Sequence, residues 1–330
     1  MKTISIDKEM ALSMIYKMTL IRNFENIVSK YKFDGEIYGM VHSYIGQEAV
    51  AVGVCAALNT EDYVISNHRP HGHAIAKGVN ISKIMSEIFG RKTGTSGGRG
   101  GSMHIMDKNV GFLMSTGIVG SGLPVACGAA FSSKYKGEDL LTCVFIGDGA
   151  TNEGVFHECL NIASLWNLPL LLVIEDNGLA VTTSSSNTIS YVNFGTLAAA
   201  YNIELFEIDG QDVESIYKVA TSAINQTRID NRPRIIWAKT VRFSEHAEGQ
   251  WYQRMKDTQY RDWNELEKDI EERCPIRIFC NKLIKEQRGM QEEIDEIMEK
   301  VDAEIEQALL YALNSSYPEI GTAFANVYKE

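Results

Sequence analysis

No apolar run in this 330-residue chain reaches the roughly eighteen residues that a membrane-spanning helix needs, so nothing in the sequence calls for a membrane span. A basic excess is also missing. Lys and Arg total 32 against 43 Asp and Glu, and the resulting formal charge of −11 argues against a nucleic-acid surface. The six cysteines form no CxxC pair and mostly lie in apolar or helical runs, which removes a disulfide framework and a cysteine zinc site and reads as reduced core thiol. Repeats and low-complexity tracts are absent. Met1-Lys2-Thr3 opens neither a signal peptide nor an Arg/Ser-rich transit sequence, and the expectation is a cytoplasmic bacterial enzyme acting on a small molecule. With 45% apolar residues, the chain can bury the core of one large α/β domain, taken here as residues 1–330.

What is present is organised around the stretch from Cys143 to Thr182. An apolar run from Leu140 to Ile146 predicts a buried strand and breaks at Gly147-Asp148-Gly149. Asn152 to Trp166 has apolar residues at helical spacing, and Leu170 to Ile174 predicts a second strand ending in Glu175-Asp176-Asn177-Gly178. Two parallel strands joined by a helix end on the same side of a sheet, so Asp148 and Asn177 should converge. A carboxylate and an amide oxygen there suit a hard cation such as Mg²⁺, which commonly shares its ligands with a phosphate. The backbone N–H groups of Gly149, Ala150 and the helix start would face that phosphate. A bare carboxylate beside a diphosphate is repulsive without a metal between them. The turn also lacks the GxGxxG pattern, having Asn152 where a dinucleotide site needs Gly.

Around this unit the pattern predicts an N-terminal helix over Met10–Tyr31, a small-residue helix over Ala49–Leu58 and another over Pro124–Tyr135. A helix near Gly195–Tyr201, a strand Glu204–Ile208, a helix Val213–Thr227 and a strand Ile235–Thr240 follow, with an amphipathic helix Glu292–Leu313 near the end. Residues 241–263 read as a long active-site loop. His68, His71 and His73 form a cluster that invites zinc. Arg69 in its midst, no nearby cysteine and the adjacent Pro70 and Gly72 read instead as an irregular active-site loop. The glycine-dense stretch 91–122 also holds Met103, Met106, Phe112, Leu113 and Ile118, and is expected to be ordered, its glycines admitting close approach to a ligand. His104 and His157 are given no role.

The Gly147-Asp148-Gly149 turn followed by Asn177-Gly178 is the thiamine diphosphate signature, and further motifs narrow it. Gly90–His104, Thr116–Gly120, Ser164–Pro169, the Tyr44–Leu58 segment and His246-Ala247-Glu248-Gly249 resemble the α subunit of the first component of 2-oxo acid dehydrogenase complexes, most of all the acetoin and bacterial pyruvate dehydrogenase types. The resemblance runs from about Arg22 to Pro275. It implies a thiamine diphosphate-binding α/β fold, a mostly parallel sheet with helices on both faces. It further implies that Asp148, Asn177 and the carbonyl of Leu179 hold Mg²⁺, and that Gly149, Ala150, His68, Arg69 and Arg242 hold the diphosphate. Gly117 and Val119 would meet the aminopyrimidine through backbone atoms; His42 would line the substrate pocket; His71 and His246 would serve proton transfer. A β partner would supply the pyrimidine-binding domain and its glutamate in a two-α, two-β assembly, and a lipoyl acyltransferase would take the acyl group.

The chain departs from the family pattern at Leu179, at Ser244 and Glu245, which stand where a basic residue or His and a Gly are usual, and in the bulky segment 250–255. A carboxylate beside His246 is expected to raise the histidine pKa or alter what the site admits. Cleavage of a small 2-oxo acid or acetoin with transfer to lipoamide is the leading reading. Carboligation or transfer to a non-lipoyl acceptor, and a non-catalytic assembly subunit, stand as alternatives.

Overall fold

A computed structural model describes residues 6–188, 190, 193–249, 260–286 and 291–325. The chain opens with helix α1 (Lys8–Phe33), whose N-cap Asp7 accepts the Met10 N–H at 2.8 Å. Next come α2 (Glu48–Ala57), β1 (Tyr63–Ser66), α3 (Pro70–Lys77), α4 (Ile81–Ile88), β2 (Phe112–Ser115), α5 (Gly122–Lys136) and β3 (Thr142–Gly147). A 3₁₀ turn, Asp148–Asn152, leads into α6 (Gly154–Leu165) and β4 (Leu170–Asp176). The hairpin β5 (Leu179–Ala180) and β6 (Thr183–Ser184) precedes α7 (Phe194–Ala200), β7 (Glu204–Asp209), α8 (Val213–Asp230) and β8 (Arg234–Lys239). Helices α9 (Trp263–Glu272), α10 (Pro275–Lys285) and α11 (Gln291–Asn314) complete the order.

Six strands form one parallel sheet in the order β2-β1-β3-β4-β8-β7. The period of two in a strand splits each apolar run between two cores. In β3, Cys143 and Phe145 face a core shared with α1, α2, α3, α4, α8, α10 and α11, while Val144 and Ile146 face one shared with α5, α6 and α7. Both faces are therefore covered, which is why β3 and β4 read as continuous apolar runs. Close contact of α2 with α8 depends on Gly53, where a Cβ would lie 2.7 Å from Ile216 Cγ2. Among the described residues no helix is long and apolar enough to cross a membrane.

Two local expectations are corrected. The segment holding His71 and His73 is helical, because Pro70 occupies the first helical turn, where its fixed φ and missing N–H cost nothing. The helix expected from Asn152 begins only at Gly154, and Gly149 and Ala150 belong to the preceding 3₁₀ turn. Strands β1 and β2 have four residues each, too few for periodicity, and were not foreseen; nor were α4, α9 and α10. Of the loop expected over 241–263, residues 250–259, including the bulky 250–255 segment, lie outside the described residues.

The glycine-dense stretch is ordered by one carboxylate. Glu87, fully buried at the end of α4, accepts the backbone N–H groups of Ser96 (2.7 Å), Gly98 (2.9 Å), Gly100 (2.7 Å) and Gly101 (3.2 Å). A chain rich in glycine has high conformational entropy to lose, and four charge-assisted hydrogen bonds offset it. Glu87→Ala orphans all four donors at roughly 1–3 kcal/mol for each one left buried and unpaired. The expected outcome is a loss of at least about 2 kcal/mol in stability. Amide hydrogen exchange at Ser96, Gly98, Gly100 and Gly101 should accelerate by contrast with α6; unchanged exchange at those four would refute the assignment.

Candidate functional site at the strand ends

Register brings the expected residues together. Gly147 of β3 pairs with Glu175 of β4, so the next residues of both strands emerge at the same side. There the Asp148 carboxylate comes close enough to the Asn177 backbone N–H for it to pull the carboxyl pKa down. A cavity of about 240 Å³ opens at this point, lined by residues following β1 (Asn67, His68, Arg69), the loop before α5 (Thr116, Ile118, Val119, Gly120), the 148–150 turn, the 177–181 segment, and Arg242 and His246 after β8. This is the crevice outside the carboxyl ends of a parallel sheet, where open α/β folds bind ligands. Gly149 is required by packing: a Cβ there would sit 2.7 Å from Ala180 Cβ.

Charge in the cavity is of both signs. Asp148 is buried, and its Oδ2 has no hydrogen-bond partner. Burial and the neighbouring Asp176 push its pKa up to about 7, against the pull of Arg242. An orphaned carboxylate oxygen beside outward-facing N–H groups is the arrangement a cation and its anionic ligand would complete. Asn177 Oδ1 accepts Leu179 N–H at 3.2 Å, and its Nδ2 donates to Gln47 Oε1 at 3.0 Å, fixing the amide's orientation. Opposite, Arg242 Nη2 donates at 3.1 Å to the carbonyl of Val181, a β-branched residue held at φ 58° in the two-residue hairpin turn. Arg69 is buried and donates to Ser43 O at 2.8 Å and to His246 O at 2.9 Å; burial and Arg242 lower its pKa to about 9.

Three imidazoles meet beside these arginines. The rings of His42 and His246 are 4.8 Å apart, His42 and His68 4.9 Å, and His68 and His246 5.4 Å. Burial, then the charge of Arg69, lowers the pKa of His42 to about 3 and of His246 to about 2; the same two causes hold His68 well below its usual value. Arg69 Nη2 lies 3.2 Å from His246 Nδ1. An arginine can only donate, so Nδ1 accepts and the proton sits on Nε2. His42 lies behind the cavity wall, with its Nδ1 buried and unpartnered.

Three expected residues do not reach the cavity: His42, His71 and Gly117. His71 is fully buried on the other side of α3, with Nδ1 3.0 Å from Glu25 Oε2 and Nε2 3.0 Å from Ser102 Oγ, so both ring nitrogens are engaged. Gly117 is flanked by the lining residues Thr116 and Ile118 and packs toward Met103. The histidine cluster disperses in three directions, with His73 turned to Ser66 Oγ (2.8 Å) and Glu175 Oε1 (3.1 Å). Glu245 also differs from expectation. Its fully buried carboxylate faces Tyr260 and Arg261 and takes no part among the charges acting on His246, whose pKa falls rather than rises.

Gln47 and Glu175 went unrecognised in the sequence. Glu175 is buried and accepts from the Tyr44 hydroxyl, His73 Nε2 and Asn67 Nδ2, anchoring the start of the 175–178 turn. Its signal was a charged residue at the end of an apolar strand.

These features define a class: a doubly covered parallel sheet whose strand ends open on a crevice holding an orphaned carboxylate and two arginines. The particular family follows from comparison. The Dehydrogenase E1 component family model matches residues 16–321, and the chain belongs to that family. It is 40% identical over 326 residues to the alpha subunit of acetoin:2,6-dichlorophenolindophenol oxidoreductase from Bacillus subtilis, covering 98% of this chain and 95% of that one. The corresponding subunit from Cupriavidus necator is 38% identical, again with 98% and 95% coverage. The pyruvate dehydrogenase E1 component subunit alpha of Porphyra purpurea is 37% identical, with 96% and 92% coverage. Family membership makes the chain a thiamine diphosphate-dependent dehydrogenase component, as its motifs implied.

The depressed histidine values have a consequence in solution. His42 and His246 should stay neutral as pH falls from 8 to 5, while in the unfolded chain both gain protons near pH 6.5. Because the folded values are depressed, these groups weaken folding progressively as pH drops through 6.5 toward the folded values, and not above 6.5. Heteronuclear NMR of selectively labelled histidines checks this; a titration of either ring near 6.5 in the folded chain would contradict it.

Proposed function

We propose that the chain is the α subunit of an oxidoreductase that cleaves acetoin or a small 2-oxo acid and passes the acyl unit to a lipoyl acceptor, within an assembly of two α and two β subunits. The observation carrying this reading is the buried, unpartnered Asp148 Oδ2 beside the 149–150 turn and opposite Arg69 and Arg242. Asp148, Asn177 Oδ1 and the Leu179 carbonyl would hold Mg²⁺. The N–H groups of Gly149 and Ala150, with His68, Arg69 and Arg242, would hold the diphosphate, while backbone atoms of Gly117 and Val119 would meet the aminopyrimidine. Bound thiamine diphosphate supplies a thiazolium carbon nucleophile, which requires a carboxylate against the pyrimidine.

Three carboxylates line the cavity: Asp148 would be taken by the metal, Glu175 accepts from Tyr44, His73 and Asn67, and Glu153 stands at the N-cap of α6 beside the diphosphate turn, so the reading gives the pyrimidine role to none of them. A β partner is thus part of the reading, in keeping with the alpha-subunit names of the relatives from Bacillus subtilis and Porphyra purpurea. His246, neutral and protonated on Nε2, would donate a hydrogen bond to the substrate oxygen. His42, adjacent and also neutral, would shape the pocket and orient His246. His71 would contribute from behind, fixing Ser102 of the glycine loop to Glu25 of α1.

Asp148→Ala in the chain co-produced with its β partner should weaken thiamine diphosphate binding in the presence of MgCl₂ by about a hundredfold or more, since the carboxylate is the one charged metal ligand. Calorimetry measures it. Unaltered binding would defeat the proposed site, and absence of lipoyl-domain acylation by the unmodified assembly would defeat the proposed acceptor.

A further inference from the structure

Glu245 is the family departure for which the structure supplies a role. Its carboxylate is fully buried yet lies on the side of the 242–246 segment away from His246. The Tyr260 hydroxyl donates to Oε2, and the Arg261 guanidinium stands 3.6 Å from Oε1. Arg261 also donates to Arg242 O at 3.0 Å and to Ser244 O at 3.3 Å, and lies 4.6 Å over the Trp263 ring. The same Tyr260 oxygen accepts from Arg242 Nη2 at 3.5 Å. A hydroxyl has one proton and two lone pairs. With its proton committed to Glu245, its lone pairs can only face a donor, and Arg242 is that donor.

We propose that Glu245 and Tyr260 are positioning residues that hold the Arg242 guanidinium in the cavity for an anionic ligand. The inference rests on the reading of the cavity as a diphosphate site. The physical reason is geometric. A free Tyr260 hydroxyl could donate to any acceptor, whereas the buried carboxylate fixes its polarity. Among the described residues Arg242 otherwise donates to the carbonyls of Ser244 (3.2 Å) and Val181 (3.1 Å), and neither carries charge. Glu245 supplies the buried negative charge that balances Arg242 and Arg261 before a ligand arrives.

The test uses the α chain co-produced with its β partner, and reads thiamine diphosphate binding by calorimetry in MgCl₂ together with the thermal midpoint. Tyr260→Phe keeps the ring beneath Arg261 and removes only the hydroxyl; it should raise the dissociation constant about tenfold, the scale of one hydrogen bond to a charged group. Glu245→Gln, which keeps an acceptor oxygen, should cost less than Glu245→Ala. The deciding comparison is a double-mutant cycle: Arg242→Ala with Tyr260→Phe should bind no more weakly than Arg242→Ala alone, because Tyr260 acts through Arg242. Multiplicative losses, or unchanged binding by Tyr260→Phe with an unchanged thermal midpoint, would overturn the inference. Should Glu245→Ala fail to fold, the Tyr260→Phe arm decides by itself. If the unmodified assembly fails to bind the cofactor, the diphosphate reading falls; normal binding by it and by every variant removes only this role.

Discussion

Parallel pairing of β3 with β4 is the constraint from which the site follows. Each strand contributes one face to each core through its alternating side chains, so neither can slip by a residue without exchanging Cys143 and Phe145 for Val144 and Ile146. With that register held, Gly147 stands opposite Glu175, and the two chains leave the sheet at the same level. Asp148 then reaches the backbone of Asn177, and the 3₁₀ turn lies against the β5 hairpin at Ala180. A carboxylate oxygen is left buried without a partner, an arrangement that is costly unless a cation completes it.

Around this centre the chain uses buried carboxylates as fasteners for irregular backbone. Glu87 gathers four N–H groups of the glycine loop; Glu25 ties Tyr44 N–H and His71 together; Glu175 collects Tyr44, Asn67 and His73. Each stabilises a segment with too little apolar side chain to pack for itself. Glu245 belongs to the same type, joining Tyr260 and Arg261 to the segment that carries Arg242 and His246. The histidines in between are kept neutral by burial and by Arg69.

Much of the fold was legible because long, strongly patterned segments carry their own signal. Helix α1, the β3–α6–β4 unit and α11 stand close to their expected limits. Short elements were not legible: β1 and β2 have no room for a period, and α3 was masked by a proline that starts a helix as readily as it ends one. In the site, Asp148, Asn177, Arg242 and His246 could be named from motifs, whereas Glu175 and Gln47 could not, since their partners lie far away in sequence.

The sequence by itself determined which strand ends would converge and that Asp148 and Asn177 would meet there, because pattern, turn chemistry and the right-handed crossover leave little choice. Only the tertiary structure decided where side chains turn. His68 and His71, three positions apart, face the cavity and a buried glutamate respectively, and Glu245 faces away from its neighbour His246 toward Tyr260. Such choices depend on which buried partner can satisfy a polar group, and those partners come from distant parts of the chain.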